Sequence, residues 1–292
     1  MIEMRRIDIS TANLDRLGIQ YDPSRFRGLS SPLIMGIVNV TPDSFSDGGR
    51  FDTAEKAVEH AIDLVREGAD IVDIGGESTR PFADPVTLDQ EISRVLPVVE
   101  RLSEKIPVPI SIDTRHAEVA GKALNAGAAM VNDVNAFQED GMEELLVETG
   151  AGSVIMHMKG KPKDMQVSPS YEDVIEEIHD FLEMRISTLV KRGYDSGKIF
   201  IDPGIGFGKR VEDNLRILKN LHLFEDLGCP LLVGASRKSF MGKVLDLEVD
   251  QRLEGSIASA VIAFMNGASV LRVHDVKETR KALDLTRAIL DS

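Results

Sequence analysis

Eight short apolar runs in this 292-residue sequence end on, or run straight into, residues that could bind or react. In chain order these are Asn39, the loop GGESTRP, Asp113, Asn132 with Asp133, His157, Asp202, Lys238 in SRKS, and Arg272 with His274. Singly, each has a plain structural reading: a strand-end Asp or Asn often caps the next helix, and a lone strand His is more often a satisfied core group than a ligand. That reading holds best for Asp133, His157 and Glu77. As a ring the residues ask for another account, because eight independent caps drawn from chemically active residues on apolar strands is a costly way to fold.

The chemistry such a ring could do divides in two. Asp113, Asn132, Asp202 and Lys238 offer acceptors and donors suited to a flat heterocycle, since a carboxylate can accept two N–H groups side by side. Phe207, in DPGIGFGK, could stack on such a ring while the glycines allow close approach. Arg272, His274 and Asn39 would meet where the last strand joins the first, a corner where barrels commonly hold phosphate. Asn39 could also lend a neutral oxygen to Mg²⁺, which keeps most of its waters and is usually shared with phosphates. Missing are a Ser-His-Asp arrangement, GxSxG, a His pair at metal spacing, and a dinucleotide fingerprint. Chemistry with no evident protein nucleophile points to transfer from a substrate that carries its own leaving group.

The elements that must position these residues repeat one pattern from residue 33 onward. A short β-branched run is followed by a polar stop and then by an amphipathic stretch at helical spacing. The strands are LIMGIVNV, IVDIG, PISID, MVNDV, GSVIMHM, IFIDPG, PLLVGAS and SVLRVH. Between them lie helical stretches such as TAEKAVEHAIDLVREG and YEDVIEEIHDFLEMRISTLVKRG, acidic early and basic or Gly-terminated late, as the helix dipole favours. Alternation implies parallel strands joined by right-handed crossovers, and eight such units close into a single (βα)8, or TIM, barrel over residues 33–292. A doubly wound open sheet is the alternative. Residues 1–32 read as an N-terminal extension or barrel plug. The stretch LEGSIASAVIAFMNGAS is apolar nearly all round and fits either a helix pressed on its own barrel or a subunit interface.

Net charge is −14, which argues against nucleic acid or an anionic membrane as the main partner. One cysteine, Cys229, excludes an internal disulfide and Cys-based zinc, and reads as a small buried hydrophobe. With no apolar signal core in MIEMRRIDIST and no long apolar run, the expectation is a soluble cytoplasmic protein.

The motifs MGIVNVTPDSFSDGG and GADIVDIGGESTRP, followed by SID, NDV, IMHMKGKP, DPGIGFGK, LLVGASRKS and RVHDVKET, resemble the dihydropteroate synthases along essentially the whole chain from residue 33. The resemblance implies condensation of 6-hydroxymethyl-7,8-dihydropterin pyrophosphate with p-aminobenzoate, on a barrel that usually dimerises and uses Mg²⁺. It implies pterin binding by Asp113, Asn132, Met156, Asp202 and Lys238, with Phe207 alongside, and a pyrophosphate and Mg²⁺ site at Asn39, Arg272 and His274. It implies a p-aminobenzoate pocket of Phe45, Ser46, Thr79, Arg80, Pro81 and Ser239. Lys238, Asp113, Arg272 and His274 are the residues expected to serve the reaction itself. Phe82 after STRP, Ile205 and the stretch NDVNAFQED depart from the family pattern. The loops TPDSFSDGGRF and STRPFADPV, rich in Gly, Pro and polar residues, are expected to order only around ligands. Competing readings are a pterin-binding methyltransferase of the same barrel type, a Schiff-base aldolase using Lys238, and a paralogue that only binds pterin.

Overall fold

Each of the eight apolar runs becomes a parallel strand in a computed structural model that describes residues 32–41, 50–78, 86–160 and 165–292. The strands are β1 (Leu33–Asn39), β2 (Ile71–Gly75), β3 (Ile110–Asp113), β4 (Met130–Asp133), β5 (Gly152–Met156), β6 (Ile199–Asp202), β7 (Leu232–Val233) and β8 (Val270–Val273). The helices are α1 (Arg50–Glu67), α2 (Leu88–Ser103), α3 (Ala117–Asn125), α4 (Met142–Thr149), α5 (Val174–Lys191), α6 (Val211–Lys219), α7 (Ser239–Leu245), α8 (Leu253–Met265) and α9 (Val276–Leu290). One helix follows each strand except β7, which is followed by two.

The sheet runs β6-β5-β4-β3-β2-β1-β8-β7, and it closes where Ile201 of β6 bridges Leu231. Closure is backed by the Ile201 amide, which donates to the Pro230 carbonyl at 3.0 Å. β7 is shorter than the run PLLVGAS suggests; Pro230 has no N–H to give the ladder, and the chain leaves the sheet at Gly234. Caps match the helix starts: Thr87 accepts from the Gln90 amide as the Gln90 side chain accepts from the Thr87 amide, and Asp173 Oδ1 accepts from the Ile175 and Glu176 amides. Each such cap is worth about 1 kcal/mol.

Strand alternation sorts side chains into two sets. Leu33, Met35, Ile71, Met130, Val154, Phe200, Leu232 and Val270 cluster inside the barrel. Ile34, Val38, Val72, Ile74, Ile112, Val131, Ile155, Ile201, Val233 and Leu271 belong to a larger cluster with helix residues such as Leu64, Val98, Leu102, Leu146 and Leu182. A period of two then carries Asn39, Asp73, Asp113, Asn132, Met156, Asp202 and Arg272 inward, and Asp133 and His157 outward.

Cys229 is buried and its thiol is pushed up to about 12 by burial, as the plain reading expects. Ile205 packs into the main core at 1% exposed and is not on the cleft. In α8, Ser256, Ala260 and Ala263 face the barrel while Ile262 and Met265 are exposed. Among the described residues no helix is long and apolar enough to cross a membrane.

Candidate active site

The C-terminal ends of the strands surround a cleft of about 630 Å³ whose lining includes Asn39, Asp113, Phe207, Lys238, Ser239, Arg272 and His274. Asn132, Met156 and Asp202 are not on that lining. They are buried at 5%, 4% and 5% exposed and share ladder positions at its edge, Asp113 with Asn132 and Met156 with Asp202. Phe45, Ser46, Thr79, Arg80, Pro81 and Phe82, with both loops expected to order around ligands, lie outside the described residues.

Arg272 is the hub. Its Nε donates to Asp73 Oδ2 at 2.6 Å and its Nη2 to Asp113 Oδ2 at 2.6 Å. Burial works against its charge, but Asp73 and Asp113 overcome that and raise its pKa further. Asp113 is pushed up by burial, an effect that Arg272 opposes and Asp73 reinforces. Gly234 lies beside this group, its Cα facing the Arg272 side chain and Asp202 Oδ2, and a Cβ there would meet both at ordinary van der Waals distance.

The loop DPGIGFGK turns the chain back beneath the cleft. Gly204, Gly206 and Gly208 all have positive φ, and a Cβ on Gly204 or Gly208 would stand 2.0 or 2.1 Å from the carbonyl oxygens of His157 or Lys159. Only glycine fits such backbone contacts. Asp202 Oδ1 accepts from the Gly204 amide at 2.7 Å, which fixes the carboxylate and leaves lone pairs for a ligand. Burial raises the Asp202 pKa, while the Gly204 amide and Lys238 hold it down. Phe207 and Met156 form a small apolar wall with Val134 and Met165. Lys238 Nζ lies 3.9 Å from the Phe207 ring centroid, and its pKa is lowered by burial and by Arg272, against the pull of Asp202 and Asp113.

Arg237, at φ 56, sits in the left-handed region. It is held there by Ser256 Oγ, which accepts from its amide, and by Asp275, which takes its guanidinium. The strained turn aims Lys238 inward and starts α7 at Ser239. His274 Nδ1 lies 3.0 Å from Ser236 Oγ, which also accepts from the His274 amide at 3.3 Å. Burial and Arg272 lower the His274 pKa to about 3, which favours the neutral imidazole in the ligand-free site. With the Ser236 hydroxyl proton directed to Nδ1, the ring proton belongs on Nε2.

Two members of the expected ring do not belong to it. Asp133 points outward, and its oxygens accept from the Asn135 and Phe137 amides at 2.7 Å each, a loop cap. His157 also points outward: Lys209 Nζ is 3.0 Å from its Nδ1 and Phe181 packs edge-on at 5.1 Å. Burial and Lys209 lower its pKa to about 2. Glu77 lines the cleft but is taken by Arg115, which donates from Nε and Nη2 at 3.0 and 3.1 Å. Conversely, Asp73 and Lys209 lie near the cleft but outside the set of residues that the strand ends predict. Asp73 was legible by parity, two residues before the strand end at Gly75 and in register with Ser111 of β3.

Parallel barrel, polar mouth and an arginine bridging two interior aspartates define a class: a TIM barrel with a polar site at the C-terminal ends of its strands, where enzymes of this fold carry their active sites. Comparison with known proteins narrows it. The family described as "Pterin binding enzyme" matches residues 35–274. The chain is 45% identical to the dihydropteroate synthase of Escherichia coli strain K12, over 90% of this chain and 94% of that one. It is 41% identical to the one of Bacillus subtilis strain 168, over 94% of each. Among solved structures, the Yersinia pestis dihydropteroate synthase with a sulfonamide drug complex superposes with a TM-score of 0.86 at 45% identity, covering 90% and 96% of the two chains. The Xanthomonas albilineans enzyme with 4-aminobenzoic acid gives the same TM-score and identity, covering 90% and 94%. The chain belongs to the pterin-binding dihydropteroate synthase family and is a transferase.

Proposed function

We propose that the interior polar residues divide the dihydropteroate synthase reaction among themselves. The chain joins the methylene of 6-hydroxymethyl-7,8-dihydropterin pyrophosphate to the amine of p-aminobenzoate, giving 7,8-dihydropteroate and pyrophosphate. The observation that carries the division of labour is the convergence of Asp113 and Asp73 on Arg272 at the mouth, with Asn132 the ladder partner of Asp113. Asp202, Asn132 and Asp113 bind the edges of the pterin, Lys238 donates to it, and Phe207 and Met156 flank it. Asp202 is suited to accept ring N–H groups because burial strengthens each such bond.

Arg272, His274 and Asn39 bind the pyrophosphate end. Asn39 stands at the end of β1 on the cleft lining with one neutral oxygen to offer. That sparse donor set fits Mg²⁺, which takes most of its ligands from water and phosphate. Mg²⁺ held there would neutralise charge on the leaving pyrophosphate. Ser239 at the start of α7 meets p-aminobenzoate, together with Phe45, Ser46, Thr79, Arg80 and Pro81 of the two loops. Without a protein nucleophile, the C–O bond to pyrophosphate breaks first. Buried aspartates favour the pterin methylene cation, and the neutral arylamine attacks it.

A homodimer is supported by the apolar residues left exposed on α7 and α8: Val244, Leu245, Ile262 and Met265. A cytoplasmic location is supported by the single, buried cysteine. The functional reading is tested by pyrophosphate release from the pterin pyrophosphate, with and without p-aminobenzoate. Release that depends on p-aminobenzoate and yields dihydropteroate supports it; none with both substrates and Mg²⁺ overturns it.

A further inference from the structure

Asp73 sits in mid-strand on β2 with no exposed surface, so a ligand in the cleft does not touch it. Its partners are unusual for a buried carboxylate. Oδ2 accepts from Asn132 Nδ2 at 3.1 Å and from Arg272 Nε at 2.6 Å. Among the described residues Oδ1 has no hydrogen-bond partner, and neither has the buried Oγ of Ser111, its ladder neighbour. Asp133, by contrast, is satisfied on both oxygens by two backbone amides, and Glu91, which also keeps one oxygen unpartnered among the described residues, spends the other on a single side chain, His116. Asp73 instead spends its one engaged oxygen on two side chains of the site.

Each contact settles a choice that the side chain could not make alone. Asn132 can present either its NH₂ or its carbonyl to the cleft; a carboxylate on one side holds the NH₂ there and directs Oδ1 away as an acceptor. Arg272 is a planar fork with five donors. With Nε on Asp73 and Nη2 on Asp113 its plane is fixed by two strands, and Nη1 has no partner among the described residues. One oxygen therefore sets the hydrogen-bonding sense of the amide facing the heterocycle and the direction of the cation facing the phosphates.

We propose that Asp73 is a positioning residue that couples the pterin subsite to the pyrophosphate subsite through its shared contact with Asn132 and Arg272. The inference rests on the assignment of those two residues given above. A ligand that orders one of them orders Asp73, and so makes the other ready; pterin and pyrophosphate then raise each other's affinity by the same factor.

Calorimetric titration of 6-hydroxymethyl-7,8-dihydropterin, with and without pyrophosphate and Mg²⁺, tests this on the full chain. In the native protein pyrophosphate is expected to tighten pterin binding about fivefold or more. In Asp73→Leu, which keeps the size but removes the acceptor that Asn132 and Arg272 share, that ratio falls to near one while a thermal melt stays cooperative. A ratio equal to that of the native protein, with only the melting temperature lowered, would mean that Asp73 is merely structural and would overturn the inference. Should Asp73→Leu not fold, the cycle of Asn132→Ala, Arg272→Ala and the double variant decides in the native background. Losses that fall short of the product of the singles by at least about threefold support coupling, and losses that multiply refute it. A native protein that binds neither ligand removes the site assignment itself, whereas one that binds both independently removes only the coupling.

Discussion

Asn132 and Asp133 are adjacent on one strand, equally buried in practice, and surrounded by different physics. Asn132 faces the barrel interior, where its partner is a carboxylate already shared with Arg272. Asp133 faces the helical layer, where two backbone amides saturate it. The same split separates Asp202 from His157 on neighbouring strands. Outside the barrel, Asp133 and His157 are engaged by groups that fold the loops; inside, Asn132 Oδ1 and Asp202 Oδ2 have no partner among the described residues. At these four residues saturation, rather than residue type, separates a structural polar group from one open to a ligand.

The largest effect that would break this contrast is at the hub. Arg272→Ala leaves Asp73 and Asp113 as buried carboxylates without a cation, an arrangement that costs about 3 to 5 kcal/mol. A loss of kcat/KM of at least about a thousandfold is expected. Pyrophosphate-release kinetics that stay within tenfold of the native enzyme would show that Arg272 is not the hub.

Next is the backbone that holds Asp202. Gly204→Ala would place a methyl 2.0 Å from the His157 carbonyl oxygen at a φ of 71. Its cost should be about 2 to 4 kcal/mol of unfolding free energy in urea. An unchanged urea midpoint would show that the glycine loop yields more easily than its contacts imply.

A smaller effect concerns pH. Burial raises the Asp202 carboxyl from 3.8 to about 6. A raised folded-state pKa stabilises fully below the unfolded value and is lost as pH rises through the folded one. The ligand-free enzyme should therefore lose stability from this group between pH 3.8 and about 6, and Asp202→Asn should flatten that part of a melting-temperature profile. Pterin affinity should run the other way, weakening as acid protonates the acceptor. Identical profiles for the two proteins would contradict the burial argument.

The smallest effect is expected at His274, already neutral because its pKa is lowered to about 3. His274→Asn should weaken pyrophosphate binding by about three- to tenfold and leave the shape of the pH–rate profile between pH 5 and 8 unchanged. A step lost from that profile would show a charged imidazole.

The barrel was legible because each strand is an apolar run bounded by polar stops, and the eight runs fall at the eight observed strands. For Asp133 and His157 the plain structural reading of a strand-end residue holds, and only their membership of the ring does not, because a set of strand ends carries no information on which face each residue occupies. Parity alone places Asp133 beside the inward Asn132 and His157 beside the inward Met156, and so sends both outward. Asp73 was missed because it interrupts IVDIG in mid-strand, where no strand end draws attention. Lys209 was hidden at the end of a glycine string, and its clasp on the His157 carbonyl is a contact between loops distant in sequence. Phe45 and Pro81, carried by resemblance alone, lie outside the described residues.

The contrast between saturated and unsaturated carboxylates is tested most directly by titrating 6-hydroxymethyl-7,8-dihydropterin into Asp202→Asn and Asp133→Asn side by side, with thermal melts of both. Asp202→Asn should lose about 2 to 4 kcal/mol of pterin binding while still melting cooperatively. Asp133→Asn should bind pterin as the native protein does and lose about 1 to 3 kcal/mol of stability. Near-native pterin affinity in Asp202→Asn, or a matching loss in Asp133→Asn, would contradict the division between inner and outer faces.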